Sequence, residues 1–275
     1  MSKKLMDQFN LSGRTALVTG GGSGMGKEFA RILAEAGATV MIAARNEERL
    51  KSVAAEIAMD TGAKVYYRYV NLEQRDEADA LIQHAQKVMG GLDILVGNAA
   101  IDLIATAEHF NAEDYDRVFA VNLTSNIWMT RAAVPAMKKN KWGRIIFISS
   151  ISSGMGLRNL PIGIYASSKA ALESYARYLA AELGTEGITA NCIVPGGVKS
   201  EMQAASTAAS VADHEQVDEK VNYLSSLIPT NRFAMPAELA GTLLLLASNA
   251  GSYINGARYV VDGGWTSFGD NVREI

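Results

Sequence analysis

The sequence contains one cysteine, Cys192, in 275 residues. A single thiol cannot close an intramolecular disulfide, and no neighbouring cysteine completes a metal knuckle, which fits a reducing compartment. Histidine is nearly as scarce. His84, His109 and His214 are scattered without metal-ligand spacing, so no metal centre is expected. No segment approaches the roughly 18 uninterrupted apolar residues of a membrane-spanning helix; the greasiest stretch, Leu243 to Ala247, is far shorter. Long Lys/Arg blocks are also missing. With 26 basic against 29 acidic residues the formal charge is −3, and neither nucleic acid nor an anionic membrane is expected as a partner. The opening MSKKLMDQFN has charge but no apolar core, unlike a secretory signal, and a cytoplasmic location is the expectation. No G-x-S-x-G elbow marks a hydrolase.

What is present is apolar and regularly arranged. Hydrophobic residues make up 48% of the chain, and at this length roughly three quarters of the unfolded surface can be buried without a disulfide or metal staple. No repeat, low-complexity tract or linker divides it, so residues 1–275 read as one domain. Short Val/Ile/Leu-rich runs alternate with helical patterns. Thr15 to Thr19 precedes a helix from Gly24 to Ala36, stopped by Gly37; Thr39 to Ala44 precedes a helix capped by Asn46 and ended by Gly62. Further strands are expected at Lys64 to Val70, Asp93 to Gly97, Arg144 to Ser149, Thr189 to Val194 and Arg258 to Val261. The pattern predicts an α/β fold, a doubly wound Rossmann-type parallel sheet of about seven strands with helices on both faces. One interval breaks the rhythm. Residues 200–232 far exceed the about 2 to 6 residues usual between such elements, which suggests a substrate lid, or else a surface loop.

The first strand-to-helix junction carries glycine at unusual density: Gly20, Gly21, Gly22, Ser23, Gly24, Met25, Gly26. Such a turn lets a pyrophosphate approach the backbone and meet the free N–H groups of a helix N-terminus. It has no Walker lysine, so a dinucleotide is favoured over a nucleoside triphosphate. The end of the second strand then selects the cofactor. A carboxylate there would bond the ribose hydroxyl of NAD, whereas Ala44 is followed by Arg45, whose guanidinium suits the 2′-phosphate of NADP. The expectation is NADP(H), with NAD(H) as runner-up if Arg45 is a surface charge pairing with Glu47 or Glu48. Farther on, Tyr165 and Lys169 stand at i and i+4 of a helical pattern, on one face. A phenol loses its proton near pH 10, and an adjacent ammonium favours the phenolate, making the tyrosine a usable acid.

These features together resemble the short-chain dehydrogenases/reductases, of the 3-oxoacyl-reductase-like ketoreductase type. The matching stretches run from TALVTGGGSGMG at 15–26, through Asn98-Ala99, Asn122, GRIIFISS at 143–150 and YASSK at 165–169, to Asn191, Pro195-Gly196 and VDGG at 261–264. The resemblance implies hydride exchange between a nicotinamide and a ketone or secondary alcohol, in a homo-oligomer, tetramer or dimer, packed through helices at 111–138 and 161–185. It implies roles as well: Tyr165 as acid/base, Lys169 on the nicotinamide ribose, Asn122 holding a relay water, and a serine on the carbonyl oxygen. That serine is Ser150 when aligned from the strand and Ser152 when counted back from Tyr165; the strand end is the stiffer reference. Asn71, Leu72, Asn98, Ala99, Pro195, Gly196, Val198 and Ser200 would join the glycine turn around the cofactor. Gly97 and Asn71 depart from the family pattern on the adenine side. Ser152, Met155, Leu157, Leu160, Ile162 and Met202 would line the substrate pocket, whose apolar character suggests an apolar ketone. A nicotinamide-binding regulatory protein would have no use for a low-pKa phenol. Enoyl reductases of this family space tyrosine and lysine more widely.

Overall fold

The computed structural model describes residues 2–156, 160–209 and 217–267. Seven strands form one parallel sheet in the order β3-β2-β1-β4-β5-β6-β7. They are β1 (Thr15–Thr19), β2 (Thr39–Ala44), β3 (Val65–Tyr69), β4 (Ile94–Gly97), β5 (Gly143–Ile148), β6 (Ile188–Pro195) and β7 (Arg258–Val261). The helices are α1 (Lys3–Met6), α2 (Gly24–Glu35), α3 (Glu47–Thr61), α4 (Arg75–Met89), α5 (Ala112–Phe119), α6 (Ser125–Asn140), α7 (Gly163–Leu183), α8 (Glu201–Ala209), α9 (Val217–Ser226) and α10 (Ala240–Ala247). None of them is long and apolar enough to cross a membrane.

The alternation of strand side chains divides the core into two layers. Leu17, Met41, Leu95, Ile145 and Phe147 face α4, α6 and α7, where Leu81, Met129, Ala133, Leu172 and Leu179 meet them. Ala16, Val18, Val40, Ile42, Val96 and Ile146 face α2, α3 and α10, packing on Phe29, Leu33, Leu50, Ile57 and Leu243. Each Val, Leu or Ile buried this way contributes about 1.5–3 kcal/mol of transfer free energy. Local chemistry sets the boundaries. Asn46 caps α3 by accepting from the Arg49 N–H at 2.9 Å, and Gly62 ends it at φ +70°, in the left-handed region.

β1 pairs with β2 on one side and β4 on the other, so the winding direction reverses between β1 and β4. Open sheets of this kind leave a crevice beyond the strand ends at such a reversal. The expected helix at 111–138 is α5 and α6 joined by a π turn over residues 120–124. In the interval 200–232 the described residues form two helices, α8 and α9, followed by turns at 227–232, and a parallel bridge between Val198 and Ala234 draws its two ends together.

Candidate active site

The glycine turn is held by hydrogen bonds from outside it. Thr19 Oγ1 accepts from the N–H groups of Asn98 and Ala99 at 3.1 and 3.0 Å, while Asn98 Nδ2 donates to the Thr19 carbonyl at 2.8 Å. These bonds tie the end of β1 to the end of β4. At Gly26 a Cβ would lie 2.2 Å from the Gly20 carbonyl oxygen, and Gly20 itself has φ +66°. A side chain at either position would break the turn, which therefore leaves a backbone cradle open to a ligand.

A cavity runs from this cradle along the strand ends. Gly20, Ser23, Gly24, Met25 and Gly26 line one end; Arg45, Asn71 and Leu72 line the edge; Asn98, Ala99, Tyr165 and Lys169 lie farther along it. Gly22 lies outside this lining and faces the Arg49 side chain instead. Arg45 bonds neither Glu47 nor Glu48. Its Nη1 donates to Glu73 at 3.0 Å, and Arg49 donates to Glu201 at 2.7 Å. Both pairs are solvent-exposed, and such pairs contribute little stability. Arg49, in the first turn of α3 four residues beyond Arg45 and next to the glycine turn, is a second cation that no sequence pattern singled out. Gly97 is buried away from the cavity, where a Cβ would lie 2.0 Å from Asn126 Oδ1. Its departure from the family pattern is therefore a matter of packing against Asn126, not of the adenine side.

A second cavity adjoins the first and shares Met25, Ser149, Tyr165, Ser200 and Met202 with it. Ser150, Pro195, Gly196 and Val198 line it, as does Ile162. The two candidate serines separate clearly. Ser150 lines this cavity together with Tyr165, whereas Ser152 is buried behind it and donates to Ser150 Oγ at 2.9 Å. Ser152 therefore touches neither cavity, contrary to its expected place in the substrate pocket. Met155 also turns away, packing on the core layer beneath α7. Leu157 lies outside the described residues. Asp102 and Gln203, absent from the sequence reading, add polar walls, so the lining is not the purely apolar one expected. Asp102 could have been found from its position shortly after β4, where the carboxyl-end rule for open sheets places ligand contacts.

Tyr165 and Lys169 lie one turn apart on α7, with Lys169 Nζ 5.6 Å from the tyrosine ring centroid. The ammonium donates to the Ile148 carbonyl at 2.7 Å, at the end of β5. Lys169 is 2% exposed, and burial pulls it down to about 8. Tyr165 keeps part of its surface on the cavities but is otherwise densely enclosed. Burial pushes its hydroxyl up to about 12, with the nearby Ser150 hydroxyl opposing the rise and the Asp102 charge adding to it. The protein alone thus keeps the phenol protonated, the reverse of the lowering expected from the Tyr-Lys spacing. Asn122 sits in the π turn, wholly buried. Its Oδ1 accepts from Ile101 N–H at 2.9 Å, and its Nδ2 donates to the Ile101 carbonyl and to Ser168 Oγ at 2.9 and 3.0 Å. Both amide hydrogens are engaged, so its side chain serves to fasten the segment after β4 to α7.

Glu173 fastens the serine side. Buried at 5% exposure, it accepts from Ser149 Oγ, Ser153 Oγ and Arg258 Nε, each at 2.6 Å. The turn bearing Ser150 is thereby bound to the helix bearing Tyr165 and Lys169. A lone glutamate on a helix carries no pattern that would reveal this from sequence.

Comparison with known proteins agrees with this geometry. Residues 14–211 match the family model of the short chain dehydrogenases. The chain is 36% identical to a 3-oxoacyl-acyl-carrier-protein reductase of Rickettsia bellii, over 93% of this chain and 98% of that protein. It is 34% identical to a D-beta-hydroxybutyrate dehydrogenase of Cupriavidus necator, over 94% and 99%. Among solved structures, a gluconate 5-dehydrogenase from Burkholderia cenocepacia, in complex with NADP and tartrate, superposes with a TM-score of 0.87 at 32% identity, covering 96% of this chain and all of that one.

Proposed function

The chain belongs to the short chain dehydrogenase family of NAD(P)-dependent oxidoreductases, and on that premise we propose that it reduces a ketone with NADPH, or oxidises the matching secondary alcohol, with Tyr165 moving the proton. The observation that carries this reading is that Tyr165 stands at the junction of the two cavities, with Ser150 beside it in the second and Lys169 one turn away. One cavity leads back to the glycine cradle and the other opens outward. The cradle fits a dinucleotide: Gly20 and Gly26 leave backbone where a pyrophosphate would lie. Arg45 and Arg49 at its edge, with no carboxylate at the end of β2, favour a 2′-phosphate. The similar gluconate 5-dehydrogenase was solved with NADP.

When bound, the nicotinamide supplies the hydride to the carbonyl carbon or takes it from the alcohol. The remaining work falls to side chains. Ser150 Oγ orients and polarises the carbonyl oxygen. Tyr165 Oη, kept protonated by its enclosure, delivers the proton to that oxygen as its negative charge develops. Lys169 is the cation that stabilises the phenolate left behind. Asn122 and Glu173 hold these groups in register through Ser168, Ile101, Ser149 and Ser153.

The test is Tyr165→Phe. NADPH affinity, read by nucleotide fluorescence, should stay within about twofold, while ketone-dependent NADPH oxidation at 340 nm falls by about 10²-fold or more, the usual contribution of a positioned acid. Turnover near that of the parent protein would overturn the assignment.

A further inference from the structure

Asp102 is the one carboxylate on the wall of the outer cavity among the described residues, and no lysine, arginine or histidine among them joins it there. It lies past the end of β4, just beyond the Ile101 backbone that Asn122 pins in place. It forms no hydrogen bond and no ion pair with any described residue. The other walls are Met25, Ile162, Met202, Val198 and neutral polar groups, of which Gln203 and Ser200 stand on or beside α8. An unpaired carboxylate facing a partly enclosed space keeps its hydration until a ligand arrives, and that ligand then decides the energetics. An apolar ketone would strip the carboxylate of water and return nothing. A ligand with a carboxylate of its own would add like-charge repulsion at low effective dielectric. A ligand N–H or O–H would instead make a charge-assisted hydrogen bond. Asp102 shares the wall of this cavity with Ser150 and Tyr165, which places it on the side of the proposed carbonyl site.

We propose that the physiological substrate is a ketone, or its alcohol, bearing a hydroxyl or ammonium group that donates to Asp102, and that Asp102 rejects keto acids. This inference rests on reading the outer cavity as the carbonyl site of an oxidoreductase. It replaces the apolar ketone suggested by the sequence with a polar and non-anionic one.

Four ketones with comparable skeletons separate the possibilities: 4-hydroxy-2-butanone, 4-amino-2-butanone, 2-pentanone and acetoacetate. Each is assayed for kcat/KM with NADPH and, independently of turnover, for binding to the NADPH-saturated protein by ligand-observed NMR, in the parent chain and in Asp102→Asn. The parent should prefer the donor-bearing ketones over 2-pentanone and acetoacetate by about tenfold or more, the worth of one charge-assisted hydrogen bond. The hydroxyl and amino arms tell which donor is used. Asp102→Asn should lose most of that preference and admit acetoacetate about tenfold better. Because no described residue bonds Asp102 and the amide has nearly the carboxylate's shape, this variant should leave the surrounding packing in place. Acetoacetate or 2-pentanone bound as well as the donor ketones by the parent, an unchanged ranking in Asp102→Asn, or no binding of any of the four would overturn the proposal. Binding in the expected order without any NADPH oxidation would sustain the Asp102 assignment and sink the reductase reading instead.

Discussion

Replacing Glu173 with alanine removes the group on which the site's serine turn depends. Its two carboxylate oxygens accept from Ser149 and Ser153 hydroxyls and from the Arg258 guanidinium, all at 2.6 Å, and the carboxylate is almost wholly buried. A hydrogen bond to a charged group contributes about 1.5–3 kcal/mol, and breaking a buried ion pair costs about 3–5 kcal/mol. These figures overlap rather than add. Arg258 is 40% exposed and regains water when its partner leaves, whereas Ser149 does not. The net loss should be about 3 kcal/mol, which for a chain of this length lowers the melting temperature by about 5 °C. Glu173→Gln keeps an acceptor for one hydroxyl and should lose about half as much. Freed from α7, the turn carrying Ser150 should also misplace that hydroxyl, so kcat falls while NADPH affinity holds. Calorimetry and urea unfolding of the two variants, followed by steady-state kinetics, test the chain of reasoning. A Glu173→Ala protein melting within about 1 °C of its parent would refute it.

Two further outcomes are expected. Burial holds Lys169 at about 8 against an ordinary 10.5, so the side chain is still an ammonium at pH 7 but the fold binds that proton less tightly than the unfolded chain does. As pH falls from 10.5 towards 8 the unfolded chain takes the proton first, and the fold loses stability across that window, with the full cost present below it. Lys169→Met removes this cost along with one hydrogen bond to Ile148. It should therefore be inactive yet about 2 kcal/mol more stable than the parent at pH 7, with the gap closing by about pH 10.5. Denaturant titrations at both pH values check this, and a gap that does not shrink contradicts it. Arg45→Ala and Arg49→Ala should each weaken NADPH about tenfold and NADH hardly at all, with unchanged melting because their pairs with Glu73 and Glu201 are exposed. Equal losses for both nucleotides in fluorescence titrations would remove the arginines from 2′-phosphate recognition.

Much of the molecule was legible in the chain because it is written in local periodicity. The alternation of apolar runs with helical patterns, the Asn46 cap and the Gly62 stop are set within a few residues of themselves, and so the seven parallel strands and their covering helices followed from sequence. The Tyr165/Lys169 pair needs only one helical turn to be brought together, and the glycine turn only its place after β1. By contrast, only the tertiary structure puts Ser150 on the cavity wall with Tyr165 and Ser152 behind it, because the two differ in which way a short turn faces α7. It also turned Asn122 into a clamp, set Gly97 against Asn126, brought Arg49 beside Gly22 and gathered Ser149, Ser153 and Arg258 around Glu173. These contacts join residues far apart in the chain, and no local pattern encodes them. The protonation of the site belongs to the same class: spacing alone suggests an ammonium lowering a phenol, but burial of both groups pushes each towards its neutral form. Desolvation depends on everything packed around a group, and that exists only once the chain has folded.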